Sequence, residues 1–140
     1  MGMENTDLQK TVLLAEDESS IRKLVAMMLE GKGYKVLLAE SGEEAIKVSD
    51  AYPSPIDLLL TDIVMSAITG KELADIICKV RKETRVVFMS GYPRDTVLES
   101  GVCHDKLFFL RKPFAMTEMI EMVTAVMAMN PEELREAQHE

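Results

Sequence analysis

Five short apolar runs punctuate the chain: Thr11 to Ala15, Lys35 to Ala39, Leu58 to Thr61, Arg85 to Met89 and Leu107 to Leu110. They are rich in Val, Leu and Phe with little alternation, the pattern of strands buried on both faces. Between them apolar residues recur at helical spacing. Ile21, Leu24, Val25, Met28 and Leu29 form a first helix that Gly31 and Gly33 close. Ser41-Gly42-Glu43-Glu44 opens a second, with a Ser three residues before a Glu so that each side chain can satisfy an open backbone donor. A third follows Thr69-Gly70 and carries Leu73, Ile76, Ile77 and Val80. A fourth follows Pro93 and ends near Gly101, and a fifth runs from Met116 to Met129 with Met119, Ile120, Val123, Val126 and Met127 as its apolar stripe. Strand followed by helix, five times over, predicts an α/β fold: a doubly wound parallel sheet with right-handed crossovers and helices on both faces.

A length of 140 residues fits one domain with a sizeable core. The pattern divides the chain into a mobile opening over residues 1–10, the domain over 11–129, and a tail over 130–140 in which Asn130-Pro131-Glu132-Glu133 caps a short helix or begins a linker. The formal net charge of -8 argues against direct nucleic-acid binding, which needs cationic groups to displace phosphate counterions. No apolar run approaches the length of a membrane helix and no basic-then-apolar leader opens the chain, so a cytoplasmic protein without direct membrane contact is expected. Cys78 and Cys103 lack the paired spacing of a zinc site or a disulfide framework and read as free thiols. His104 reads as a solvated loop residue.

Candidate chemistry gathers at the strand ends. Glu16-Asp17, Asp62, Ser90 and Lys112 each follow an apolar run, and in a parallel α/β sheet the carboxyl ends of the strands line one edge with the ligand crevice outside it. Taken singly, each residue has an ordinary explanation as a turn former or a solvated charge. Their common address is what points to a site. Like charges about 4 Å apart repel by roughly 4 kcal/mol at an effective dielectric of 20, so the acids call for a cation. Magnesium suits hard oxygen ligands and usually shares its shell with phosphate oxygens, and a hydroxyl and an ammonium beside it complete a set for phosphoryl transfer.

These segments resemble the receiver domains of two-component response regulators. Leu13-Leu14-Ala15-Glu16-Asp17-Glu18, Leu59-Leu60-Thr61-Asp62-Ile63-Val64-Met65, Phe88-Met89-Ser90-Gly91-Tyr92 and Phe109-Leu110-Arg111-Lys112-Pro113-Phe114 match the family's motifs in order, over about Thr11 to Met129. The resemblance implies a flavodoxin-like (βα)5 domain with strand order 2-1-3-4-5. It further implies that Asp62 is the phosphoacceptor, taking a phosphoryl group from a phosphohistidine on a histidine kinase or histidine phosphotransfer domain. Asp17 and Asp62 would ligate Mg2+ with the backbone carbonyl of Val64, and Glu16 would act through water. Lys112 would pair with the Asp62 carboxylate and then with the phosphoryl group, Ser90 would hydrogen-bond a phosphoryl oxygen, and Phe109 would be the aromatic switch. The Lys112-Pro113 bond is expected to be cis. Such a domain is not an enzyme beyond its own phosphotransfer and autodephosphorylation.

The chain departs from the family pattern in places. Ser66-Ala67-Ile68-Thr69-Gly70 follows Met65 where Pro is common, and Ala115 stands where a helix-capping oxygen would serve the fifth helix. Phe109 lacks the hydroxyl that a Tyr would use to signal an outward state. Val64 and Tyr92 flank the path of the hydrolytic water in this family, and their apolar and bulky side chains should prolong the acyl phosphate. Ser90-Gly91-Tyr92 resembles receivers of hybrid sensor histidine kinases more than those that drive DNA-binding domains. The crowd of Met116, Met119, Met122, Met127 and Met129 reads first as core filler, and second as an adaptable face that changes partners on phosphorylation, a second copy included. Two rivals stand beside the receiver. An aspartyl-phosphate hydrolase of the haloacid dehalogenase type would need an acid where Val64 stands, and a degenerate receiver would act only as a docking module.

Overall fold

The computed structural model describes residues 9–91 and 108–134. The helix expected after Pro93 lies outside them, as do Tyr92, Cys103, His104 and Leu107. Five parallel strands, β1 (Thr11–Ala15), β2 (Lys35–Ala39), β3 (Leu58–Asp62), β4 (Arg85–Ser90) and β5 (Phe108–Arg111), pair in the order β2-β1-β3-β4-β5. That is the order the family resemblance implies. The helices are α1 (Ser19–Gly31), α2 (Gly42–Ala51), α3 (Gly70–Val80) and, after β5, α4 (Met116–Ala128).

Every residue of β1 and β3 is buried, which explains why their sequences show no polar alternation. Alternate residues of the strands serve two cores. Leu13, Ala15, Leu59 and Phe88 face α2 and α3, where Ala45, Leu73, Ala74 and Ile77 close over them. Val12, Leu14, Leu58, Leu60, Val87, Met89 and Leu110 face α1 and α4, meeting Val25, Leu29, Met119, Val123 and Val126.

Two helices sit rotated from their predicted faces. In α1 Ala26 is buried and Leu24 is 43% exposed; in α3 Ala74 is buried while Ile76 and Val80 are left outside. In both a small residue takes part of the buried face, and larger apolar neighbours lie at the flank. The methionines of α4 follow the plainer expectation. Met119 is fully buried, and Met116, Met122 and Met127 pack against the same core.

The helix starts show which capping signals were used. Thr69 and Glu72 form the reciprocal pair at α3, with Glu72 N–H donating to Thr69 Oγ1 at 3.1 Å and Thr69 N–H to Glu72 Oε1 at 2.8 Å. At α2, Ser41 Oγ accepts from the Glu44 N–H, but the Glu44 carboxylate reaches one residue further back than predicted and accepts from the Glu40 N–H. Ala115 offers no cap to α4, and only Glu118 contributes, accepting from the Ala115 N–H. Asn130 and Glu133 cap each other's backbone and residues 131–134 are helical, so the chain after α4 turns into a short helix there. Among the described residues no helix is long and apolar enough to cross a membrane.

Candidate functional site

Parallel pairing carries the strand-end residues to one edge. Ala15 pairs with Thr61, Asp62 with Met89 and Ser90 with Arg111, so Glu16, Asp62, Ser90 and Lys112 emerge side by side although almost a hundred residues separate the first from the last. The Lys112 N–H donates to the Ser90 carbonyl at 2.7 Å and the Ile63 N–H to the Met89 carbonyl at 2.9 Å, which extends the ladder past the strand ends. Gly70 makes a further close approach possible. A Cβ there would stand 1.9 Å from the Asp62 carbonyl oxygen, so α3 can begin against the site only with glycine at that position.

At this edge the carboxylate oxygens of Glu16, Asp17 and Asp62 lie within 4.8 Å of one another. Lys112 Nζ stands 2.7 Å from Glu16 Oε1 and 2.7 Å from Asp62 Oδ1. Glu16 is wholly buried and Asp62 is 5% exposed, whereas Asp17 faces solvent. The second oxygen of Glu16 accepts from the Glu18 N–H at 3.0 Å, so both its oxygens hold a donor. Asp17 has no such support, since its carboxylate makes no hydrogen bond or ion pair among the described residues.

Three acids face one ammonium, and burial and neighbouring charge act on the two buried acids in opposite directions. Burial, joined by the neighbouring Glu16 carboxylate, pushes the Asp62 carboxyl up to about 8, against the opposing pull of Lys112. Burial acts on Glu16 in the same sense, but hydrogen bonds from Asp62, Lys112 and the Glu18 N–H outweigh it and hold Glu16 below the usual carboxylate range. Burial would lower Lys112, and the two carboxylates overcome it and raise its pKa.

The donor set suits a small hard cation. Two acids with nearby oxygens, one buried and one open to water, match the way magnesium binds through one or two carboxylates while keeping several waters. The Val64 carbonyl, expected as a further ligand, accepts no hydrogen bond among the described residues.

Phe88 pairs with Phe109 and Ser90 with Arg111, which sets Phe109 and Ser90 on the same face of adjacent strands. Phe109 is half-buried and packs against the core on that face. The Lys112-Pro113 peptide is cis. Cys78 is a free thiol that burial pushes up, with its Sγ donating to the Thr84 carbonyl at 3.7 Å.

Sequence reasoning missed one residue of this edge. Arg22 Nη1 donates to the Glu16 carbonyl at 2.8 Å and lies 3.5 Å from the Asp17 carbonyl. A signal was present: a cation in the first turn of α1 opposes the helix dipole, so something else must hold it there.

The family model for the response regulator receiver domain matches residues 12–124. The chain is 32% identical over 120 residues to the sensor kinase CckA of Brucella abortus, an overlap covering 84% of this chain and 13% of that protein. It is 29% identical over 114 residues to the response regulator receiver protein CpdR of the same organism, covering 81% of this chain and 93% of that protein. Among solved structures, the response regulator TrrA of Thermotoga maritima, crystallised in complex with Mg(2+)-BeF, superposes with a TM-score of 0.70 at 31% identity, over 84% of this chain and 99% of TrrA. The acidic pocket of Glu16, Asp17 and Asp62 fits a phosphoacceptor site, and the chain belongs to the response regulator receiver domains of two-component signal transduction.

Proposed function

We propose that Asp62 is the phosphoacceptor and that Mg2+ is its cofactor, held by Asp17, Asp62 and the Val64 carbonyl, with Glu16 acting through water. The observation that carries this reading is the convergence of three carboxylates within 4.8 Å around one ammonium at a buried strand end. Bound there, the cation would neutralise phosphate oxygens and the excess of acid charge.

A carboxylate oxygen of Asp62 attacks the phosphorus of a phosphohistidine on a histidine kinase or phosphotransfer domain. The P–N bond breaks as the P–O bond forms, and the imidazole nitrogen that leaves keeps the electron pair and takes a proton. Lys112 Nζ, which already touches Asp62, follows the growing negative charge on the phosphoryl oxygens, and the Ser90 hydroxyl donates to one of them. Phe109, on the same face as Ser90, fills space behind that hydroxyl as it moves, which is the switch. Beyond this phosphotransfer and the hydrolysis of its own acyl phosphate, the chain has no enzyme activity in this reading. It acts in the cytoplasm without direct contact to nucleic acid or membrane, and any homodimer forms on phosphorylation.

The haloacid dehalogenase alternative is disfavoured by Val64, a 56% exposed apolar residue where that chemistry needs an acid. A docking-only receiver is disfavoured by the ion pair that Lys112 makes with Asp62. The resemblance to CckA supports a receiver of the hybrid-kinase kind, and that to CpdR a stand-alone one. We favour the first on the strength of Ser90-Gly91-Tyr92; a native reading frame without a kinase module upstream would overturn it.

The test is direct. Incubation with phosphoramidate and Mg2+ adds one phosphoryl group by intact mass to the wild type and none to Asp62→Asn, and equal uptake by both would overturn the assignment. The exposed Val64 side chain should also slow hydrolysis, so Val64→Asn shortens the lifetime of the phosphorylated form; an unchanged decay rate would remove Val64 from that role.

A further inference from the structure

We infer that Arg22 is a positioning residue for the cation site: its guanidinium grips the backbone of the Glu16-Asp17 turn and thereby aims the otherwise unsupported Asp17 carboxylate. This inference rests on the reading of Asp17 as a magnesium ligand.

The three acids are held in unequal ways. Asp62 is fixed by the central strand β3 and by Lys112, and Glu16 by Lys112 and the Glu18 N–H. Asp17 lies one residue beyond Glu16, past the end of β1, and its carboxylate has no partner among the described residues. Only its backbone is restrained. Arg22 supplies that restraint from the first turn of α1, with Nη1 donating to the Glu16 carbonyl at 2.8 Å and reaching the Asp17 carbonyl at 3.5 Å. The other arm of the guanidinium faces Glu40 Oε2 at 3.7 Å, just past the end of β2, so one planar group ties the start of α1 to the ends of two strands.

Arg22 is well placed to be rigid. Its side chain is 13% exposed, while that of Glu40 is 71% exposed and contributes little as an ion pair. The geometric role therefore falls on Nη1, which serves both carbonyls and whose two N–H donors lie in the fixed guanidinium plane, an orientation that a freely rotating ammonium lacks. Magnesium demands near-ideal octahedral geometry, so a ligand that wanders costs affinity even when its charge is intact. Outer-shell partners of metal ligands typically matter by 10–100-fold in affinity.

Charge and geometry make opposite forecasts, which gives the test its force. Removing a cation beside an acidic pocket should by Coulomb's law alone tighten Mg2+ binding. Removing a positioning group should loosen it.

The experiment is a calorimetric titration of the chain with Mg2+ for the wild type, Arg22→Met and Arg22→Lys, alongside the melting temperature of each without metal. We expect Arg22→Met to bind Mg2+ about tenfold more weakly in spite of the lost positive charge. Arg22→Lys, which keeps the charge but not the fork, should also be weaker than wild type. In phosphoramidate labelling both variants should need correspondingly more Mg2+ yet approach the wild-type rate when it saturates. Tighter or unchanged binding in Arg22→Met overturns the inference, as does wild-type affinity in Arg22→Lys. Should Arg22→Met be too unstable to titrate, Arg22→Lys carries the decision on the same readout. A wild type that binds no Mg2+ would instead overturn the reading of the cation site itself.

Discussion

The two edges of the sheet are built on opposite terms. At the amino edge most polar groups meet partners, the buried Arg85 Nε excepted: Asp57 Oδ2 accepts from the Thr11 N–H at 2.8 Å, Thr84 Oγ1 donates to the Ile56 carbonyl at 2.7 Å, and Arg81 donates to Ser49 Oγ and to the carbonyls of Ser49, Tyr52 and Ser54. At the carboxyl edge three acids crowd one ammonium, and Ala67 in the adjoining loop takes a left-handed φ of 71°. The first edge is arranged for stability. The second crowds its acids around Lys112, whose ammonium offsets part of their repulsion.

The largest effect expected from this contrast is at Asp62. Asp62→Asn abolishes phosphoryl uptake and, without metal, raises the melting temperature, because it removes a carboxyl whose ionisation burial and the Glu16 carboxylate oppose. The sign with pH follows. Asp62 rises from an ordinary 3.8 to about 8 on folding, so the native chain binds the extra proton and its stability falls as pH climbs between those values. Glu16 moves the other way and is already ionised in both states above about pH 5, which leaves the upper part of that window to Asp62. Melting curves from pH 5 to 8 in a chelator should therefore diverge, with Asp62→Asn gaining on the wild type as pH rises, and Mg2+ should close the gap by binding the ionised native form. Parallel curves would mean that Asp62 is ionised throughout.

At the other edge the consequence is purely structural. Arg81→Ala removes four hydrogen bonds that join the start of the β4 approach to the end of α2 and the loop beyond it. A loss of about 2–3 kcal/mol is expected, because hydrogen bonds to a charged group are each worth about 1.5–3 kcal/mol and the freed carbonyls recover part of this from water. Urea unfolding measures it, and Mg2+ affinity should stay at the wild-type value. A variant that kept its stability and lost Mg2+ binding would erase the distinction between the two edges.

The sequence made the addresses of the strand-end polar groups legible but not their relations. Strand limits could be read because apolar runs end abruptly in polar residues, and β1 and β2 begin and end where the pattern predicts, although β2, at the sheet edge, is only partly buried. The helix faces were harder: Ala26 and Ala74 look neutral in a sequence, yet they are buried while Leu24, Ile76 and Val80 are turned outward. Complete burial of Glu16 could not be read either, since it follows from the Ala15–Thr61 register and from a lysine at the far end of the chain. Arg22 stood out only as a cation in the first turn of α1, and its role was hidden because its partners are backbone carbonyls, which every residue carries.

The smallest effect lies in the loop after Met65, where the absence of Pro signalled a departure but not its form. Ile68 is held at one end, packed so closely on α2 that a Cβ at Gly42 would come within 2.3 Å of its Cγ1, and Gly70 is held at the other by its N–H bond of 2.7 Å to the Ile63 carbonyl. Between buried Met65 and these anchors the chain must turn within a few residues, and it does so with the Ile68 N–H bonded to the Ser66 carbonyl at 2.9 Å across Ala67. A left-handed conformation costs an L-residue about 1–2 kcal/mol, and glycine is free of that cost but loses about 0.4–1 kcal/mol through the entropy of its unfolded chain. Ala67→Gly should thus stabilise the domain by about 0.5–1 kcal/mol, read as a raised urea midpoint at unchanged slope. Because the substitution touches none of the carboxylates, the pH dependence assigned to Asp62 should persist in full. Strain and charge at the carboxyl edge would then be independent, whereas a midpoint that fell would show that Ala67 does not hold the left-handed turn.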